Sequence, residues 1–302
     1  WLKLAYGLKA RYTMHLLKRS ANKDADMEKV LEYVNNSFES AEEQAAFDVY
    51  DANNINPLYG FFVARAGLGA SESMRSKLAE YNDPRLSRAF ITKQGTSGKE
   101  QAPGTADNAV YAPNGTPEQG TSKYGTSLFM YSISAPTLLL SYHELKFLEA
   151  EALCRLERDA KSALKDAVVA GLLNAENSFT ISRKELGKTL INAASSITEA
   201  EAESYFDNTI EAKYTAEPLK TTMTQKYFAL WGASGEATES YNDVRRMKGL
   251  GENFIELKNP NSFPLRCPYG NSDTTTNAEV KAAYGNGQYV YSENVWWAGG
   301  SR

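Results

Sequence analysis

His143-Glu144 opens the pattern of a zinc-protease helix, which needs a second imidazole one turn further on to share the ion. Phe147 stands at that position, so the pair of metal-holding imidazoles is missing. His15 and His143 also have no nucleophile defined by sequence, which leaves a Ser-His-Asp arrangement without support. Gly187-Lys188-Thr189 resembles the end of a phosphate-binding loop, but Ser182 occupies the place of its first glycine and no buried strand leads into it. Gly67-Leu68-Gly69 lacks the third glycine and the strand of a dinucleotide site. Glu144 and Glu151 share one helix face roughly 10 Å apart by helical rise. That spacing falls near the range that glycoside hydrolysis uses. A structural role between packed helices is the favoured reading of this pair, and a glycan-cleaving helical enzyme is kept as the alternative. The catalytic, metal and cofactor expectation is therefore none.

Binding chemistry is better represented. The chain has 18 Tyr against 12 Phe, many of the Tyr in polar segments. Tyr joins a flat apolar face to a hydrogen-bonding tip, which suits a polar ligand. Tyr50, Asn53, Asn54 and Tyr59 fall in a stretch rich in turn formers and are the first ligand-binding candidates. Tyr111 and Tyr124 follow as weaker ones. They lie in or beside the Gly95–Gly125 stretch, which holds six Gly and three Pro and reads as one long irregular loop.

The elements that would hold these loops are helices. Trp1, Ala5, Leu8, Tyr12 and Leu16 lie on one face of a helix expected over Trp1 to Arg19. A second is expected over Asp26 to Phe38, a short piece over Ala41 to Val49, and another over Ser71 to Tyr81. Asn82-Asp83-Pro84 stops the last of these, because the residue before Pro avoids helical angles. Pro136 suits a helical first turn, and Leu138, Tyr142, Leu145, Leu148, Ala152 and Leu156 then form a buried stripe. Asp159 is the expected cap of the next helix, whose Ala160, Ala163, Leu164, Ala167 and Val168 give a small-residue face. Together they read as an antiparallel pair of tetratricopeptide kind over Pro136 to Ala175. Further helices are expected over Thr198 to Lys213, Pro218 to Trp231 and Thr238 to Lys248. From Gly249 the chain reads as an irregular tail, with one edge strand at Gln288 to Tyr291. The fold class is all-α, a tetratricopeptide-like helical-repeat scaffold with long irregular loops and little β. One domain over residues 1–302 is expected, with the scaffold in 1–50 and 136–248, ligand-facing loops in 50–135 and a tail in 249–302.

The 302 residues can bury a sizeable core. A net charge of −4 argues against nucleic acid as the partner, since many phosphates require clustered Lys and Arg. No apolar run approaches the ~20 residues that cross a bilayer. Cys154 and Cys267 make neither a disulfide framework nor a metal site. Cys154 reads as a small apolar residue within a helix.

Several segments, in order, resemble the SusD/RagB family of outer-membrane nutrient-binding lipoproteins, and most closely its SusD-like group two. Tyr142 to Ala152 resembles the family's acidic helix ending in Ala-Glu-Ala, and Asn82-Asp83-Pro84-Arg85-Leu86 its Asp-Pro-Arg-Leu turn. Gln225 to Leu230 resembles its late helix. Glu239, Tyr241 and Arg245-Arg246 resemble the acidic-aromatic-diarginine segment that follows. Leu265 to Tyr269 with Asn277 resembles its Arg-x-Pro-Tyr tail, Asn294 to Trp297 its ending, and Trp1 to Arg11 its Trp-to-Arg helix. Tyr6 replaces a frequent Asn, and Met247-Lys248-Gly249 replaces a Pro after the paired Arg. The chain also reads as the carboxy-terminal portion of such a protein, truncated at its amino terminus. The resemblance implies non-catalytic capture of an oligosaccharide or peptide at the outer face of the outer membrane. It further implies delivery to a SusC-like TonB-dependent transporter, and membrane contact only through a lipid anchor outside this fragment. A protein-binding helical repeat is the third reading.

Overall fold

The computed structural model describes residues 1–65, 69–94, 99–101, 111–116, 124–130, 132–186, 195–232 and 234–301. The chain is mostly helical, in a tetratricopeptide-like arrangement. It opens with α1 (Leu2–His15) and α2 (Lys23–Asn35), followed by β1 (Ala45–Phe47), α3 (Pro57–Arg65), α4 (Glu72–Glu80) and α5 (Arg85–Ala89). Short strands β2 (Phe90–Gln94), β3 (Lys99–Gln101), β4 (Thr126–Ser127) and β5 (Thr137–Leu140) come next. The scaffold then runs through α6 (Tyr142–Arg155), α7 (Lys161–Leu186), α8 (Glu199–Tyr205), α9 (Glu211–Ala216), α10 (Pro218–Leu230) and α11 (Ala237–Leu250). The tail, read from sequence as irregular, carries α12 (Asn271–Thr276) and α13 (Ala278–Tyr284).

The expected α6–α7 pair is present, and it is the centre of the packing. Ala160, Ala163, Leu164, Ala167 and Val168 are all buried, in one cluster with Phe147 and Ala150 of α6. The opposite face of α6, with Leu145, Leu148 and Ala152, packs against α1 and α2. α10 closes the third side, where a Cβ on Gly171 of α7 would stand 3.0 Å from that of Ala229. Small residues permit that approach of two backbones.

Four local expectations are corrected. The segment after Pro136 is strand, not helix: β5 pairs antiparallel with β1, matching Phe47 to Thr137 and Ala46 to Leu138. The helix begins after Ser141, whose hydroxyl accepts from the Glu144 N–H at 3.0 Å. An apolar run such as Thr137 to Leu140 suits either state, and a strand partner 90 residues away decides it. In α1 the stripe of Trp1, Ala5, Tyr12 and Leu16 is exposed, while Gly7, Ala10, Arg11 and Met14 are buried. Both faces of this helix carry apolar residues, so periodicity alone does not choose between them. The helix expected over Thr198 to Lys213 is interrupted by a π turn at Phe206–Ile210. No strand forms at 288–291 among the described residues, where Val290 only accepts from the Leu265 N–H at 2.7 Å.

α4 ends where the sequence places its stop. Asn82 takes the left-handed conformation at φ 48°. The N–H groups of Asn82 and Asp83 then return to the carbonyls of Ala79 and Leu78 at 3.1 and 2.9 Å, a Schellman closure. α7 starts close to the expected cap, with Asp159 accepting from the Lys161 N–H at 3.0 Å. The Gly187-Lys188-Thr189 segment and Gly67-Leu68 lie outside the described residues, as does most of the Gly95–Gly125 stretch, whose described part includes β3.

Candidate functional site

The candidate loop is held at both ends by side chains. Asn56 is buried and forms its base. Its N–H donates to the Ile133 carbonyl and its side-chain amide to that of Ala135, each at 2.8 Å. The Asn56 Oδ1 accepts from the Leu58 N–H at 2.8 Å and the Tyr59 N–H at 3.4 Å, so Asn56 caps α3 with Pro57 as its first residue. That signal is readable in Asn56-Pro57, yet the segment read as loop throughout. Asp51 closes the tip: its Oδ1 accepts from the N–H groups of Asn53 and Asn54 at 2.8 and 2.7 Å.

On this frame the Asn53 and Asn54 side chains are exposed. The Asn54 amide donates to the Val49 carbonyl at 3.3 Å. Tyr50 is half-buried, its ring edge-on to Phe47 at 4.8 Å and its hydroxyl 2.7 Å from Thr137 Oγ1. Tyr59 sits half-exposed in the first turn of α3. Tyr50, Asn53, Asn54 and Tyr59 thus stand on one short segment, in which Val49 and Ile55 are also exposed, with exposed Phe47 just before it. On the other face of the β1–β5 ribbon a hollow of about 160 Å³ is lined by Gln44, Asp48, Asn174 and Asn177. Gln44 and Asn174 exchange amide hydrogen bonds at 3.0 and 3.1 Å. Nothing in local sequence joined these amides to the loop, because they meet only through packing.

Tyr111 and Tyr124 are placed differently. They flank Ala70, whose N–H donates to the Gly125 carbonyl and whose carbonyl accepts from the Ala112 N–H, both at 2.8 Å. Tyr124 is only 5 % exposed. The Tyr111 ring is edge-on to Phe90 at 5.3 Å, with the Arg75 guanidinium 5.4 Å from its centre. Burial raises the Tyr111 phenol to about 12. Both rings support the surface more than they present one.

Glu144 and Glu151, the carboxylate pair weighed for hydrolysis, are each 0 % exposed and held in ion pairs. Arg11 Nε donates to Glu144 at 2.8 Å. Arg246 and Arg155 each donate to Glu151 at 2.8 Å. Arg246 also reaches Asp243 at 2.7 Å, and Lys226 meets the same carboxylate at 2.8 Å. Asp83 and Arg85 form a bidentate pair at 2.8 and 2.6 Å. The Arg11–Glu144, Arg246–Glu151 and Lys226–Asp243 pairs tie helix to helix in the interior, while the others brace a helix or turn from within. His143 is equally buried, its Nδ1 accepting from the Asn174 amide at 2.9 Å and its Nε2 facing Glu236 at 3.7 Å. Burial, with the Arg85 charge adding to it, lowers the His143 imidazole to about 3. Burial and the adjacent Glu144 hold the Glu236 carboxyl well above its ordinary range. Cys154 lies 3.6 Å from the Thr222 hydroxyl, and Cys154 and Cys267 are both free. No helix among the described residues is long and apolar enough to cross a membrane. No group of three or more His, Cys, Asp or Glu among them is placed to hold a metal ion.

The buried pairs fall on the motifs that the sequence shares with SusD/RagB proteins. The model of a SusD-like family, described as starch-binding and associating with the outer membrane, matches residues 1–269. The chain belongs to this SusD-like family. A SusD/RagB family protein of Bacteroides thetaiotaomicron is 65 % identical, with a TM-score of 0.94. The match covers 100 % of this chain and 65 % of that one, so the chain spans about two thirds of that SusD-like relative. A SusD homologue of Bacteroides fragilis has a TM-score of 0.70 at 20 % identity, over 99 % of this chain and 67 % of its own. A chitin-binding protein has a TM-score of 0.68 at 20 % identity, over 99 % and 64 %. At such identities the likeness shows the SusD-like fold alone. None of the curated proteins matches the chain. In SusD-like terms, the Asp-Pro-Arg turn, the acidic helix and the diarginine segment are ion-pair staples of the scaffold. The 50–60 loop lies outside these motifs.

Proposed function

We propose that the protein captures a polar nutrient, an oligosaccharide or peptide, at the cell surface without breaking it. It would hand the ligand to a SusC-like TonB-dependent transporter, from a position on the extracellular face of the outer membrane fixed by a lipid anchor outside these residues. Membership of a starch-binding, outer-membrane-associated family carries this reading and favours a glycan. One protein of the same fold is described as chitin-binding, which points the same way. The loop of Tyr50, Asn53, Asn54 and Tyr59 is the proposed contact surface. Aromatic faces and amides suit the alternating apolar and hydroxyl faces of a sugar, and the Asn56 cap and Asp51 turn fix them in place. Isothermal titration against a panel of glycans and peptides tests it. A glycan that binds the wild type should bind at least tenfold more weakly once all four residues are Ala. Affinity retained in that variant removes the site assignment.

A further inference from the structure

Away from this loop, α4, α10 and the segment after α11 enclose a cleft of about 350 Å³. Lys77 comes from α4 and Tyr81 from its C-terminal cap, Lys220 and Thr224 from α10, and Phe254 and Lys258 from the segment that follows α11. The volume is near the lower end for small-molecule sites, about the size that holds one or two sugar rings. Tyr81 stands edge-on to Phe228 at 5.3 Å, and with Phe254 it gives the cleft apolar surface beside the Thr224 hydroxyl.

Three ammonium groups border this space, and two are matched. Lys220 pairs with Glu217 at 2.8 Å and Lys258 with Glu256 at 2.6 Å. Lys77 is different. It is half-buried, and among the described residues its one hydrogen bond goes to the Ser73 hydroxyl at 2.7 Å, with no carboxylate in ion-pair range. An ammonium has three donors, so two remain for a ligand. Burial pulls the Lys77 ammonium below its ordinary value; the Glu256 and Glu80 charges oppose that shift and Lys258 adds to it. Glu80 and Glu256 also line the cleft, beyond ion-pair range of Lys77, and a half-buried cation so placed is a cost to the empty protein that a closer anion relieves.

We propose that this cleft is a subsite for an acidic sugar, in which the Lys77 ammonium takes the carboxylate of a uronic acid residue. Tyr81 and Phe254 receive the pyranose ring. The proposal rests on the ligand being a glycan, but not on the 50–60 loop.

Titration calorimetry with trigalacturonate, neutral galactotriose and triglutamate tests it, at low and at physiological salt. Trigalacturonate should bind at least tenfold more tightly than galactotriose, with the difference shrinking as salt rises. Lys77→Met should remove that preference while Tm stays level or rises, and Lys77→Arg should keep it. Equal affinity for the charged and neutral sugars overturns the subsite and leaves glycan capture standing. Preference for trigalacturonate that survives Lys77→Met also overturns it, as does binding of none of the three. Binding of triglutamate alone overturns both the subsite and the glycan reading.

Discussion

Replacing Asp83 with Ala strands the Arg85 guanidinium in the interior. Both residues are 2 % exposed, and among the described residues Asp83 is the one carboxylate that Arg85 meets, through Nε at 2.8 Å and a terminal nitrogen at 2.6 Å. The same carboxylate accepts from the Arg85 N–H at 2.9 Å and from the Tyr205 hydroxyl at 3.3 Å, so four hydrogen bonds disappear together. Removing one partner of a buried ion pair costs about 3–5 kcal/mol, because the remaining charge has neither water nor a counter-charge. At about 2 °C for each kcal/mol in a chain of this length, Tm should fall by roughly 6–10 °C. Scanning calorimetry at pH 7 measures it, with two controls. Asp83→Asn keeps an acceptor for the Arg85 N–H and should lose less. The double variant Asp83→Leu with Arg85→Met leaves no charge behind and should recover most of the loss. A fall below about 2 °C for Asp83→Ala, or a double variant as unstable as the single one, would refute the ion-pair account of this turn.

Two further outcomes follow from the buried groups around the start of α6. His143 is held neutral in the fold, at about 3, so the unfolded chain takes up a proton first as pH falls below its ordinary value near 6.5. The stability that His143 contributes is whole above that value and is lost on acidification at about 1.4 kcal/mol per pH unit. His143→Gln, which keeps an acceptor for Asn174, should therefore show a flatter decline of Tm between pH 6.5 and 4, and an unchanged slope would count against a neutral buried imidazole. Burial and the neighbouring Glu144 raise the Glu236 carboxyl well above the ordinary range, which favours its neutral form. Glu236→Gln replaces one neutral group by another and should move Tm by no more than about 2 °C, whereas Glu144→Gln takes the charge from the partner of Arg11 and should cost several degrees. Equal losses in calorimetry of the two variants would mean that Glu236 is ionised.

What the sequence determined by itself is whatever depends on neighbouring residues. Asn82-Asp83-Pro84 ends α4 because one left-handed residue and a proline suffice, and Asp159 marks the start of α7 through its own turn. The small-residue face of α7 was legible for the same reason, since helical spacing places Ala160, Ala163 and Ala167 together wherever the helix packs. The ordered motifs also identified the family, because scaffold ion pairs such as Asp83 with Arg85 constrain residue types tightly. Tertiary structure decided the rest. β5 is a strand only because β1 lies against it, and α1 turns its Tyr12 stripe outward because Gly7 and Ala10 allow the closer approach to β5 and α2. Asn56 was visible as a cap beside a proline, but its hold on residues 133 and 135 was not. The clefts and hollows that could hold a ligand belong to this second class. The amide hollow of Gln44 and Asn174, and the cleft of Lys77, Lys220 and Lys258, bring together residues from distant segments, and only packing sets their spacing and charge.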